Sequence, residues 1–158
     1  MTILFQPAFD IDLKFDPLWC AWFTGWVDGE GCFISQIHND SLAITPVLTV
    51  SLREDDRNIL REVKETLRCG VLYEKSRKHD RENGKGCKDQ IAWKCGSLGQ
   101  CRHILIPLFD KYPLRSKKAR DYKIWRELVL GISEGHHLNR NRDYILDLCR
   151  QLKEIKRY

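Results

Sequence analysis

Residues 22–31, Trp22-Phe23-Thr24-Gly25-Trp26-Val27-Asp28-Gly29-Glu30-Gly31, decide how the chain folds. They set two carboxylates, Asp28 and Glu30, at the end of an apolar segment. Small residues at Ala21, Gly25 and Gly29 recur every four positions. On a helix they form one flat stripe, which lets a second helix approach backbone to backbone. The bulky residues Trp19, Trp22, Phe23 and Trp26 follow the i, i+3, i+4, i+7 spacing of a core-facing surface. The helix is thus expected to pack two ways, against its own core and against a partner, with acids at its tip.

Its boundaries are legible. Asp16 is an N-cap residue type and Pro17 suits the first helical turn, where its missing N–H costs nothing. The C-terminal end falls at Gly29 to Gly31, where unpaired carbonyls and the negative end of the helix dipole collect. An acid there is unfavourable unless something positive offsets it, and a divalent ion held by hard oxygen ligands would do so. The same residues would also serve an ordinary buried helix followed by a solvated acidic turn.

The order Gly25-Trp26-Val27-Asp28-Gly29-Glu30-Gly31, followed by Cys32-Phe33, resembles the signature motif of the LAGLIDADG homing endonucleases. The resemblance places the family's metal-binding acid on Glu30, with the Gly29 carbonyl as a second ligand, and gives Asp28 a structural role at the helix end. It implies an α+β fold of αββαββα order, in which a four-stranded antiparallel saddle meets DNA and the helices cover the other face. The segments after the motif follow that order. Cys32 to His38 alternates and ends at the turn-prone Asn39-Asp40, and Ala43 to Leu52 alternates again. A helix from Asp55-Asp56 carries Ile59, Leu60, Val63 and Leu67 on one face and stops at Gly70. Strands are expected over Val71 to His79 and Lys88 to Cys95, joined through Asn83-Gly84. Ser97 is a candidate cap for the next helix, and further helices fit Ser116 to Gly131 and Asn141 to Lys156. The expected layout is one domain over 1–158. It comprises an extension at 1–15, a motif helix at 16–31, two hairpins with an intervening helix at 32–95, and helices at 97–158.

Only one copy of the motif is present, and no internal repeat accompanies it. Single-motif members of the family assemble as homodimers, so the resemblance makes Ala21, Gly25 and Gly29 half of a two-fold interface. Two Glu30 carboxylates would then lie close together, and they resist joint ionisation unless metal neutralises them. Mg2+ is the expected cofactor, with Mn2+ or Ca2+ able to occupy the same place. The expected activity is hydrolysis of both strands of a long, roughly palindromic DNA target.

On the saddle, alternate side chains would face the bases. The expected face comprises Ile34, Gln36 and His38 with Asp40 at the turn, then Thr45, Val47 and Thr49, then Tyr73, Lys75 and Arg77, and finally Lys88, Gln90 and Lys94. Any antiparallel sheet with one wet face shows such alternation, so the pattern alone does not single out nucleic acid. In the run Leu114-Arg115-Ser116-Lys117-Lys118-Ala119-Arg120 the resemblance implies one basic residue near the reacting phosphate, on Arg115 or Lys117. The Gln and Arg that some members carry after the second strand are missing. Leu52 and Asp56 stand in their places, with Arg53 or Arg57 as substitutes.

Composition agrees with a nucleic-acid ligand without demanding one: 27 basic against 22 acidic residues in 158 leave a formal charge of +5. No apolar run is long enough to cross a membrane, and Met1 to Pro7 lacks a secretory signal, so an intracellular protein is expected. The seven cysteines then read as reduced thiols. Cys87, Cys95, Cys101 and His103 lack the paired spacing of a zinc knuckle. Two other activities fit the same fold. One is an RNA maturase that assists splicing with intron RNA as partner, and the other is a DNA-binding protein that has lost cleavage. The retained Glu30 favours the nuclease.

Overall fold

A computed structural model describes residues 15–155. The first element is α1 (Pro17–Glu30), with the Asp16 carboxylate accepting the Trp19 N–H at 2.9 Å. It runs straight into β1 (Gly31–Ile37), which turns back into β2 (Ile44–Arg53). A short 3-10 turn, Glu54–Asp56, leads to α2 (Arg57–Leu67) and then β3 (Val71–Lys75). The connection to β4 (Gln90–Cys95) contains a five-residue helix, α3 (Lys78–Glu82). Next come α4 (Leu98–Gln100), a π turn (Cys101–Leu105) and α5 (Ile106–Lys111). The last helices are α6 (Lys118–Ser133) and α7 (Arg142–Glu154). The sheet is antiparallel throughout in the order β1-β2-β4-β3.

The expected order of strands and helices is present, with three local differences. The third strand stops at Lys75, because the chain from Arg77 to Asp89 folds on itself through ion pairs of Arg77 with Asp80 and Arg81 with Asp89. Ser97 makes no side-chain capping bond. Proline at 107 has no N–H and its ring crowds the preceding turn, which the widened π turn just before it accommodates.

One face of the sheet is buried. Phe33 lies opposite Leu48, Leu48 opposite Cys95, Val50 opposite Trp93, and Trp93 opposite Leu72. Aromatic rings continue this layer into the helices. Phe23 of α1 meets Trp93 edge-on at 6.1 Å and stacks with Phe109 at 5.9 Å, while Phe33 meets Trp125 at 5.2 Å. Gly70 needs to be glycine twice over: its φ is +78°, and an added Cβ would lie 2.3 Å from the Trp93 ring nitrogen.

The motif helix departs from the expected face assignment. Its buried residues are Cys20, Phe23, Thr24 and Val27, the same helical spacing rotated by about one position. Trp22 is 38% exposed and stacks on Trp26 at 5.5 Å, and Leu18 is 81% exposed. Apolar character on both sides of the helix concealed which side faces the core.

Candidate active site

Glu30 is the last residue of α1, and no loop separates it from β1. Gly31 makes that junction possible. A Cβ there would stand 2.6 Å from Val27 Cγ1 and 2.7 Å from the Val27 carbonyl oxygen. The Glu30 side chain is exposed, as are Gly25, Gly29 and Ala21. Added Cβ atoms on Gly25 or Gly29 would meet nothing within 4 Å. The small-residue stripe therefore lies open on the surface of the single chain, beside Leu18 and Trp22.

Two residues of opposite charge tie this helix end to α6. The Asp28 carboxylate accepts the backbone N–H of Arg115 at 2.8 Å, that of Ser116 at 3.1 Å and the Ser116 hydroxyl at 2.6 Å. It sits at the positive end of α6. Burial alone would raise the Asp28 carboxyl. The hydrogen bonds from Ser116 and Arg115 and the charge of Lys118 outweigh burial and hold it below the usual carboxylate range. In return, the Lys118 ammonium donates to the carbonyl oxygens of Asp28 at 3.1 Å and Gly29 at 2.9 Å. The last turn of α1 has no basic residue of its own, so Lys118 supplies the charge its dipole lacks.

The sequence places a basic residue near the reacting phosphate on Arg115 or Lys117, and the structure shows how this run meets the end of α1. Arg115 contributes its backbone N–H, Lys117 takes the position preceding α6, and the side chain that binds the end of α1 is Lys118. Asp28, Gly29, Ser116, Lys117, Lys118, Arg120 and Asp121 line an open cleft of about 830 Å³. Asp121 was not anticipated; its Oδ1 is buried and has no hydrogen-bond partner.

The donors at the tip of α1 are hard oxygens of the kind Mg2+ or Ca2+ takes. Of the two acids in the motif, Asp28 is already engaged by three donors, which leaves the Glu30 carboxylate beside the Gly29 carbonyl. Among the described residues no group of three His, Cys, Asp or Glu could hold a metal ion. The cysteine and His103 combination considered for zinc is likewise not assembled, and all seven cysteines are free thiols.

The open face of the sheet is set by the register. Gln36 lies opposite Thr45, Ile34 opposite Val47, Thr49 opposite Lys94, and Gln90 opposite Lys75. The Lys94 ammonium stands 5.1 Å over the Tyr73 ring on the same face. His38 lies just past β1 and its Nε2 is 3.0 Å from the Thr45 hydroxyl, with Asp40 in the turn that follows. Three expected contact residues are placed differently. Val47 points to the open face but is only 4% exposed, because its neighbours pack over it. Arg77 lies beyond β3 and pairs with Asp80 at 2.8 Å. Lys88 lies before β4 and pairs with Asp55 at 3.2 Å. Of the proposed substitutes near the metal, Arg53 pairs with Asp55, and Arg57 pairs with both Glu54 and Glu74.

The family profile described as LAGLIDADG endonuclease matches residues 23–129, from the middle of α1 into α6. The chain belongs to the LAGLIDADG endonuclease family. A protein of Mycosarcoma maydis named "Probable intron-encoded DNA endonuclease 1" is 27% identical over 135 residues, which is 81% of this chain and 44% of that protein. The chain spans less than half the length of the curated relatives it matches. Among solved structures, the archaeal intron-encoded homing endonuclease I-Vdi141I, complexed with DNA, superposes with a TM-score of 0.71 at 21% identity. That match covers 87% of this chain and 83% of I-Vdi141I. I-SmaMI, bound to an uncleaved DNA target in the presence of calcium ions, gives a TM-score of 0.72 at 20% identity, covering 85% of this chain and 45% of the other. The fold of the LAGLIDADG endonucleases is therefore shared, with the signature motif on α1. Among the described residues no helix is long and apolar enough to cross a membrane.

Proposed function

We propose that this LAGLIDADG protein is a site-specific double-strand DNA endonuclease acting as a homodimer with a divalent metal ion. The observation that carries the reading is the bare face of α1. Leu18, Ala21, Trp22, Gly25 and Gly29 are exposed on the one helix that ends in Glu30. An apolar, side-chain-poor surface of this kind calls for cover, and the metal donors at its tip are incomplete in one chain. A second copy related by a two-fold axis meets both needs, because an isologous contact brings the same stripe and the same Glu30 twice. The likeness to I-Vdi141I over most of its chain, and to I-SmaMI over less than half, supports a fold used once or twice per polypeptide.

Glu30 and the Gly29 carbonyl would hold the metal, Mg2+ by preference, with Mn2+ or Ca2+ able to take its place. When bound, such an ion activates water and stabilises the leaving oxygen of a phosphodiester. Asp28 keeps α1 and α6 in register so that Lys118 stays beside the reacting phosphate, where its charge opposes the negative charge that develops. The open face of the sheet would lie along the major groove. Lys75 and Lys94 would meet phosphates, and Gln36, Thr45 and Gln90 base edges, whereas the Thr49 hydroxyl is buried. Because the dimer presents this face twice, the target should be roughly palindromic.

A cleavage selection on a randomised, partly palindromic DNA library with Mg2+, run beside Glu30→Gln, tests this. Double-strand cuts by the native protein alone are expected. Enrichment of the same DNA by both proteins with no cutting would leave a DNA-binding protein instead.

A further inference from the structure

The Gly29 carbonyl oxygen carries two assignments. It is one of the two oxygens proposed above to hold the metal, and it already accepts the Lys118 ammonium at 2.9 Å. The same ammonium is held by the Asp28 carbonyl at 3.1 Å, so it is fixed at the tip of α1. Its backbone is fixed as well, because Ser116, two residues earlier, is clamped by Asp28 and accepts the Lys118 N–H at 3.1 Å. A divalent ion on the same carbonyl would stand within a few ångströms of that positive charge, although the Asp28 and Asp121 carboxylates line the same cleft. The nearby Asp28 carboxylate is spent on α6, and no ion pair of Lys118 with an acid occurs among the described residues.

We propose that Lys118 competes with the divalent metal for the Gly29 carbonyl, so that the DNA-free protein binds metal weakly and a DNA phosphate frees the site by drawing the ammonium away. This rests on the metal-dependent reading above and adds a regulatory step to it. The physical basis is like-charge repulsion at near-contact distance. Even with water-like screening it suffices for about a tenfold loss of affinity for a doubly charged ion. A DNA phosphate offers the ammonium a charged acceptor in place of two neutral carbonyls, and hydrogen bonds to ionised groups are the stronger. The charge of Lys118 thus couples metal binding to DNA binding.

The test is titration of the protein of residues 1–158, without DNA, against Mn2+, following the free-ion paramagnetic resonance signal. Lys118→Gln keeps a donor for the carbonyl but removes the charge, and should bind Mn2+ about tenfold more tightly than the native protein. Lys118→Arg keeps the charge and should bind like the native protein. Lys118→Met is read in the same way if the Gln variant fails to give a native melting transition. Neutral variants that bind no more tightly than the native protein would overturn the proposal. The nuclease reading would survive that result wherever Glu30→Gln abolishes the binding observed. If Glu30→Gln in the Lys118→Gln background left Mn2+ binding unchanged, the ion would be elsewhere, and both the proposal and the metal assignment would fall.

Discussion

Asp28 Oδ1 accepts the Ser116 hydroxyl at 2.6 Å, a bond between residues 88 positions apart that joins the end of α1 to the start of α6. The carboxylate accepts from the backbone of Arg115 and Ser116 as well, while Lys118 returns two hydrogen bonds to the α1 carbonyls. Each helix end is completed by a charge from the other helix. This reciprocal clasp sets where Glu30 sits relative to the basic start of α6.

Asp28→Asn should lower stability by about 1–3 kcal/mol, because the amide cannot accept all the hydrogen bonds that the carboxylate does. A melting temperature lower by several degrees is expected. The deficit should depend on pH in a fixed sense. The folded-state Asp28 value lies below the unfolded one of 3.8, so the native advantage is fully present above that pH and is lost as pH falls through the depressed folded value. Melting curves of both proteins across acid pH check this, and an equal melting temperature at neutral pH would show that the clasp contributes nothing.

Gly31→Ala places a methyl group 2.6 Å from Val27 Cγ1 and 2.7 Å from the Val27 oxygen, at a junction with no loop to absorb the shift. A loss of about 1–3 kcal/mol is expected from overpacking, read by denaturant melts. Because the clash lies next to Glu30, cleavage should fall further than stability alone explains.

Gly25→Leu meets no atom of its own chain, so secondary structure should be retained in circular dichroism. The added side chain would stand in the stripe that a second α1 must approach. Sedimentation should report a monomer where the native protein is a dimer. A variant that stays dimeric would place the interface elsewhere.

Lys94 rests over Tyr73 on the open face of the sheet, whereas Lys88 is paired with Asp55. Lys94→Ala should therefore reduce the salt dependence of DNA binding by about one phosphate contact. Lys88→Ala should change it less, since Asp55 already offsets that charge. Equal slopes for native protein and Lys94→Ala would remove Lys94 from the phosphate path.

How far the sequence disclosed this arrangement depends on how local the cause is. The start of α1 is written in Asp16 and Pro17, and its end in Gly31, so the motif helix was legible nearly residue by residue. Strand faces followed from alternation, and the register puts Gln36, Thr45, Thr49, Tyr73, Lys75, Gln90 and Lys94 on one side. Alternation does not disclose burial, and Val47 is covered by neighbours on its own face. The contact of Lys118 with the α1 carbonyls was not legible because the start of α6 depends on a contact with Asp28 that no local rule contains. Trp22 was given to the core because helical spacing marks an apolar face without saying whether this chain or another covers it. The segment after Lys75 continued the strand on paper, and its opposite charges fold it into α3 instead.

The most direct test of the central claim uses dimers mixed from native and Glu30→Gln protomers, purified through two different tags and given supercoiled DNA that carries the selected target with Mg2+. If each copy contributes its own Glu30 to the cutting site, native dimers should linearise the plasmid and mixed dimers should not. Linearisation by mixed dimers at the native rate would contradict the account, because one Glu30 would then suffice for both strands.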